Sequence, residues 1–153
     1  MIELRWKTID GRPIDLRKEF MEAVKEGDRE VHIGTDSQQK TGVTSFVTVL
    51  VVLQPGKGGR AFCVKDKSPR IRSLRERLLK EVWLSVSLGM ELERLMPVKS
   101  PLTIHIDANP DVKFRSSDHV KELVGMVVGQ GFRSLVKPDS WCATNCADRI
   151  VKS

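Results

Sequence analysis

The sequence predicts a mixed α/β fold, with one five-stranded mixed sheet and helices on both faces. Three segments with strand character follow one another through short loops, which is typical of an antiparallel meander. Two later strand segments each follow a helical segment, and helical crossovers join parallel strands. Because such crossovers are right-handed, the fourth strand is expected beside the first, in the order 3-2-1-4-5.

The first 28 residues are predicted to form an N-terminal extension, followed by a single domain of residues 29–153. The extension contains a short amphipathic helix, because Leu16 and Phe20 recur at helical spacing. Asp15 precedes them and is the residue type that caps a helix N-terminus.

The five strands are predicted from short apolar runs rich in valine, threonine and leucine, which are bounded by turn residues. They cover residues 31–36, 44–54, 60–65, 102–107 and 132–136. The glycine-rich loop between the second and third strands is too short for a helical crossover. This supports the antiparallel pairing of the first three strands.

Three further helices are predicted, over residues 70–96, 117–129 and 141–151. The first of them is the longest, and small and apolar residues recur on one of its faces at spacings of three and four. Those residues are Leu74, Leu78, Val82, Ser85 and Gly89. Ser117 is expected to cap the second of these helices.

Composition excludes several classes of protein. The longest apolar stretch is strand-sized, so no membrane span is expected. Three cysteines are too few for a disulfide scaffold, and the first residues lack the apolar core of a signal peptide. We therefore expect a cytoplasmic protein with free thiols.

The net charge of +6 is concentrated in one segment, residues 57–80, where nine basic residues face two acidic ones. A localised basic surface attracts polyanions such as nucleic acid, although a merely solvated surface would have the same composition. The members predicted to contact a nucleic-acid backbone are Lys65, Lys67, Arg70, Arg72 and Arg75.

Two aspartates end predicted strands that should be parallel neighbours. Asp36 ends the first strand and Asp107 ends the fourth, so both carboxylates are expected at one edge of the sheet. Adjacent carboxylates repel each other unless a cation lies between them. Mg²⁺ or Mn²⁺ is the usual cation for a site made only of oxygen ligands.

Two further acidic residues are candidates for the same site. Glu81 lies on the predicted buried face of the long helix, where a glutamate needs a partner. The small residues Ser85 and Gly89 are expected to leave room for it. Asp148, in the last helix, is placed to approach the same sheet edge, although a helix-surface charge is the simpler interpretation.

This order of strands, helices and carboxylates resembles the ribonuclease H-like superfamily, and most of all its bacterial YkuK-type proteins. The segments that carry the resemblance are His32–Gln38, His105–Pro110 and Lys137–Arg149. The resemblance implies phosphodiester hydrolysis with two divalent ions about 4 Å apart. Asp36 would bridge the ions, and Glu81, Asp107 and Asp148 would complete their coordination.

The sequence departs from classical ribonuclease H in two ways. Ser37 and Gln38 follow the first aspartate, and no extra basic helix is present for grasping an RNA–DNA hybrid. His32 and His105 share strand parity with the aspartates. One interpretation is that these histidines are partners of the carboxylates or transfer protons. The other, which is favoured, is that they are ordinary core histidines bonded to backbone.

A metal-dependent nuclease is the leading prediction for the function. A non-catalytic nucleic-acid-binding module of the same fold is the alternative, and a protein-interaction domain with a vestigial site is a third. Retention of all four carboxylates favours the nuclease.

Overall fold

A computed structural model describes residues 1–25, 28–54, 56–96 and 101–142. The strands are β1 (Lys7–Thr8), β2 (Glu30–Lys40), β3 (Val43–Gln54), β4 (Gly58–Pro69), β5 (Leu102–His105) and β6 (Arg133–Leu135). The helices are α1 (Leu16–Ala23), α2 (Leu74–Glu93) and α3 (Val120–Gly129), with a 3₁₀ turn at Arg115–His119.

The six strands form one mixed sheet in the order β1-β4-β3-β2-β5-β6. The β2–β3 and β3–β4 pairs are antiparallel, whereas β5 is parallel to both β2 and β6. The five predicted strands therefore have the predicted order, and the mixed α/β class is confirmed. The sequence did not predict β1, whose two residues pair with Phe62 and Cys63 at the edge of the meander.

The meander strands are longer than predicted, which changes the position of Asp36. The β2–β3 ladder continues to the pair Lys40–Val43, where Gly42 has a positive φ and closes the turn. Asp36 is therefore not the last residue of its strand, as the sequence suggested. It lies two residues beyond Gly34, the last residue of β2 that pairs with β5.

Helix boundaries follow their capping residues. The Asp15 side chain accepts a hydrogen bond from the Lys18 amide, as expected for α1. Helix α2 begins later than predicted, because Ser73 caps it by accepting from the Glu76 amide. Ser117 is not a cap: it lies inside the 3₁₀ turn, and α3 follows without a side-chain cap.

The two faces of the sheet carry different clusters. Side chains of α1, α2 and α3 pack with alternate strand residues into the larger core, which includes Phe20, Ile33, Leu88 and Ile104. The opposite face carries a smaller cluster built on β3, in which Cys142 is buried. The last predicted helix, residues 141–151, lies outside the described residues beyond Cys142.

Within the described part of the chain, no helix combines the length and the apolar character needed to cross a lipid bilayer.

Candidate functional site

Three of the four predicted carboxylates converge beyond the end of the β2–β5 ladder. Ligand oxygens of Asp36, Glu81 and Asp107 all lie within 4.8 Å of one another. β5 stops at His105 while β2 continues, so no strand among the described residues pairs with this side of β2 beyond Gly34. The end of the parallel pair therefore provides the space in which the carboxylates meet. Asp148 lies outside the described residues.

Glu81 is the buried member of the cluster, with 5% of its surface exposed. Burial raises the pKa of its carboxyl group well above the usual value, and the negative charges of Asp36 and Asp107 add to this effect. The Ser37 hydroxyl donates a hydrogen bond to Glu81, and this bond and the nearby Arg77 charge lower the pKa in part. A bound cation would stabilise the ionised form of this group.

The small residues beside Glu81 have packing roles of their own. The Ser85 hydroxyl lies 2.7 Å from the Thr35 hydroxyl, which in turn lies 2.9 Å from that of Thr48, so helix α2 is tied to two strands. Gly89 instead allows Phe132 and Leu102 to approach the helix backbone. Ser85 and Gly89, which were expected to leave room for Glu81, therefore also pack against neighbouring parts of the fold.

Lys137, which begins one of the segments that carry the family resemblance but was given no role at the site, lies at the cluster. The Lys137 ammonium forms an ion pair with Asp107, with Nζ 2.5 Å from Oδ1. Partial burial alone would lower the pKa of Lys137, but Asp107, together with Asp36 and Glu81, outweighs this effect and raises it. The place of Lys137 at the start of a resemblance segment, directly before Pro138, does not distinguish a site residue from a turn residue.

His32 and His105 form a buried pair on the second face of the sheet. Nδ1 of His105 accepts from the backbone amides of Trp141 (3.1 Å) and Cys142 (3.4 Å), so the neutral ring carries its proton on Nε2. That nitrogen lies 2.9 Å from Nδ1 of His32 and donates to it. Burial lowers the pKa of His105 to about 4, with the neighbouring His32 adding to the effect. Bonding to backbone is what the core-histidine interpretation expects.

Two of the five predicted phosphate-binding residues, Lys65 and Lys67, share a sheet face with Asp36. In the ladder Asp36 is opposite Val47, and Val47 is opposite Lys65. Gln38 and Lys67 are aligned across β3 in the same way, two residues further along the same face. Since directly paired residues project to the same side and strands lie about 4.8 Å apart, Lys65 branches from the sheet roughly 10 Å from Asp36. Both lysines are exposed.

The other predicted basic residues differ in their availability. Arg70 and Arg72 are exposed in the segment that joins β4 to α2. Arg75 is also exposed, but its guanidinium makes two hydrogen bonds to Glu122, at 3.1 and 2.5 Å, so its charge is already balanced. Sequence analysis also missed Arg5 and Lys7, which line a cleft of about 450 Å³ together with Lys65.

A model of the ribonuclease H-like family matches residues 14–152 of this chain. The chain belongs to the ribonuclease H-like family. The uncharacterized protein YkuK of Bacillus subtilis (strain 168) is 28% identical to it over 149 residues, which cover 88% of this chain and 86% of the relative. Among solved structures, ribonuclease H1 of Halobacterium salinarum NRC-1 matches 80% of this chain and 98% of its own, with 12% identity and a TM-score of 0.46.

The donor set of this ribonuclease H-like site fits a hard divalent cation. All three converging side chains are carboxylates, and oxygen ligands of this kind suit Mg²⁺ and Mn²⁺. One of the three is buried, where an ionised carboxylate needs a compensating positive charge. Both features agree with the divalent-metal chemistry that the ribonuclease H-like fold generally uses.

Proposed function

We propose that this protein is a divalent-metal-dependent nuclease that hydrolyses nucleic-acid phosphodiester bonds at a four-carboxylate site. The observation that carries the proposal is the convergence of the Asp36, Glu81 and Asp107 oxygens within 4.8 Å of one another. Asp36 is proposed as the bridging carboxylate, and Asp148 as the fourth member, contributed by the C-terminal segment. Mg²⁺ or Mn²⁺ is proposed as the cofactor.

Bound divalent ions would supply the activation of water and the stabilisation of the leaving oxygen. The side chains of this protein prepare the site for that chemistry. The Ser37 hydroxyl holds Glu81 toward Asp36, and the backbone amide of Ser37 donates to Asp36 Oδ1 at 2.9 Å. These two bonds orient the carboxylates before any ligand arrives, which reduces the reorganisation needed for binding.

The basic residues are proposed to hold the nucleic-acid backbone. Lys65 and Lys67 lie on the Asp36 face of the sheet and are exposed, so a phosphate chain that crosses this face would reach the carboxylates. Arg5 and Lys7 extend the same positive surface to the sheet edge. Contacts of this kind bind phosphate without reading base sequence. Arg70 and Arg72 are proposed to contribute from the adjoining segment.

The two roles can be tested in one set of measurements. Wild type and Asp36→Asn are incubated with single-stranded RNA, duplex DNA and an RNA–DNA hybrid in Mg²⁺ or Mn²⁺, and Mn²⁺ binding is measured by calorimetry. We expect wild type to cleave at least one substrate and Asp36→Asn to cleave none while still binding it. Asn supplies no charge to a bridging position, but it leaves the lysines unchanged.

A non-catalytic nucleic-acid-binding module is the second candidate, and the ion pair between Lys137 and Asp107 favours it, because a protein cation already neutralises one carboxylate. Binding without cleavage in every metal would establish this alternative. A wild type that neither binds nor cleaves any substrate at low salt would contradict both.

A further inference from the structure

We propose that the Lys137 ammonium is a built-in cation of the carboxylate cluster and that it competes with the divalent ion for the same oxygens. This inference rests on the proposed function and concerns the regulation of that site. Its starting point is the ion pair between Lys137 Nζ and Asp107 Oδ1 at 2.5 Å. Asp107 Oδ1 therefore already has a positive charge beside it.

The backbone on both sides of Lys137 is anchored, which explains why the ammonium reaches this position. The Lys137 amide donates to the Ala108 carbonyl at 3.0 Å, which places it beside the residue that follows Asp107. The amides of Asp139 and Ser140 both donate to the Val136 carbonyl, at 2.9 and 3.0 Å, and close a tight turn directly after it. The side chain is thus tethered within reach of the cluster.

The lysine serves the whole cluster and not Asp107 alone. Its charge also interacts with Asp36 and Glu81, so three acidic groups share one ammonium. Without a cation, three carboxylates this close together would repel one another strongly. The ammonium therefore stabilises the folded protein before metal binds.

Exposure allows the ammonium to leave. The Lys137 side chain is 37% exposed, against 18% for Asp107, so the flexible four-carbon stem can swing into solvent while the carboxylate stays in place. A divalent ion that binds the same oxygens then replaces the ammonium. Metal affinity is reduced by the free energy of the interaction that it displaces.

The test compares wild type, Lys137→Gln and Lys137→Arg in calorimetric titrations with Mn²⁺, without nucleic acid. Lys113→Gln is the matched control, since Lys113 also pairs with an aspartate (Asp111, 3.7 Å) but outside the cluster. We expect Lys137→Gln to bind Mn²⁺ on the order of tenfold more tightly. Lys137→Arg, which keeps the charge, and Lys113→Gln should remain near the wild-type affinity.

Thermal unfolding with and without Mn²⁺ provides a second readout, because a purely structural lysine would not make the difference in melting temperature depend on the ion. In EDTA, Lys137→Gln should melt below wild type, because its carboxylates have lost the charge of the Lys137 ammonium. Saturating Mn²⁺ should narrow this difference in melting temperature, because the variant binds the ion more tightly and is therefore stabilised more by it. A structural lysine would leave the same gap with and without Mn²⁺.

Equal or weaker Mn²⁺ binding by Lys137→Gln, when wild type does bind Mn²⁺, overturns the inference and leaves the proposed metal site intact. If neither protein binds Mn²⁺, both the inference and the proposed function are wrong. Tighter binding together with a narrowed melting gap supports the competition.

Discussion

Glu81 determines how the metal-free site responds to pH. Its folded-state pKa is raised by burial and by Asp36 and Asp107, so the native protein retains a proton that the unfolded chain has already released. Stability from this source is fully present below the unfolded pKa and is lost as pH rises through the folded pKa. The slope for one proton is at most about 1.4 kcal/mol per pH unit.

Glu81→Gln should therefore become more stable than wild type as pH rises in EDTA. Glutamine cannot ionise, and its side-chain oxygen can still accept the hydrogen bond from the Ser37 hydroxyl. At pH 8 we expect the free energy of unfolding to exceed that of wild type by about 1 kcal/mol or more, and at pH 4 the difference should nearly vanish. Urea unfolding measures both. Glu93→Gln, exposed on the same helix, should show no such trend, and a pH-independent difference for Glu81→Gln would contradict this account.

At the scale of elements, His105 attaches the backbone at Trp141 and Cys142 to the sheet. His105 is part of β5, and its ring accepts hydrogen bonds from the backbone amides of Trp141 and Cys142. The centroids of the His105 and Trp141 rings lie 4.7 Å apart. A protonated ring would lose this acceptor. The attachment therefore depends on a neutral histidine, which burial favours by lowering the pKa to about 4.

His105→Asn tests that dependence. Because the folded pKa of His105 is lowered, its contribution to stability is present above about pH 6.5 and is lost as pH falls toward 4. The variant has no titrating ring, so its deficit relative to wild type should shrink over this interval in chemical-denaturation curves. His119→Asn, in the 3₁₀ turn, is the control. A deficit that stays constant with pH would show that the ring acts only by packing.

The contact between α2 and the strands beneath it gives a second test at this scale. A Cβ atom on Gly89 would lie 3.2 Å from Phe132 Cζ and 3.3 Å from Leu102 Cδ2. Alanine gains about 1 kcal/mol of helix propensity, but overpacking costs about 1–3 kcal/mol, so Gly89→Ala should be neutral to destabilising by about 2 kcal/mol. The loss should be smaller in a Phe132→Leu background, as measured by a double-mutant cycle.

Gly125 offers the matched control for this substitution. It lies inside α3, where an added Cβ would meet nothing within 4 Å. Gly125→Ala should raise the free energy of unfolding by roughly 0.5–1 kcal/mol. If both alanine variants are equally stabilised, then the close packing of Phe132 against α2 does not limit this position.

At the scale of the whole molecule, the basic surface on the Asp36 face predicts salt-dependent binding of polyanions. Each phosphate contact adds about 0.9 to the slope of log K against log salt on duplex DNA. Lys65→Gln combined with Lys67→Gln should therefore lower the slope by about 1.8 and weaken binding to all sequences similarly. Fluorescence anisotropy at several salt concentrations measures this.

Arg75→Gln provides the comparison, because Arg75 is held by Glu122 and its charge is already balanced. Arg75→Gln should change the slope of log K against log salt by less than either lysine substitution does. An equal effect of Arg75 and the lysines would mean that net charge, and not the position of the lysines on the Asp36 face, governs binding.

The division into an extension of residues 1–28 and a domain of residues 29–153 stays a proposal. Trp6, Leu16 and Phe20 are buried in the larger core together with strand and helix residues of the predicted domain. Burial of apolar surface on this scale stabilises a fold, so we expect removal of the first 28 residues to lower its stability.

The sequence by itself determined the order of the five main strands. The short loops of the meander and the helical crossovers to β5 and β6 leave few chain paths, and the right-handed crossover rule selects among them. It also indicated Asp36, Glu81 and Asp107, because the change from apolar to polar residues along a strand segment and a buried helical position are visible in local patterns of polarity. The closeness of Asp36 and Asp107 followed from the parallel neighbours β2 and β5.

Only the tertiary structure decided which residues surround the carboxylates. Lys137 is 30 residues from Asp107 in the chain, and it reaches Asp107 because β6 pairs with β5 and aligns the segments that follow them. Ser37 of β2 contacts Glu81 of α2 across 44 residues, because α2 packs against β2. Strand β1 was equally hidden, since two residues carry no periodicity and pair only because the edge of β4 is open to them. Local sequence specifies elements and their polarity, whereas contacts between distant side chains depend on the register of the folded sheet.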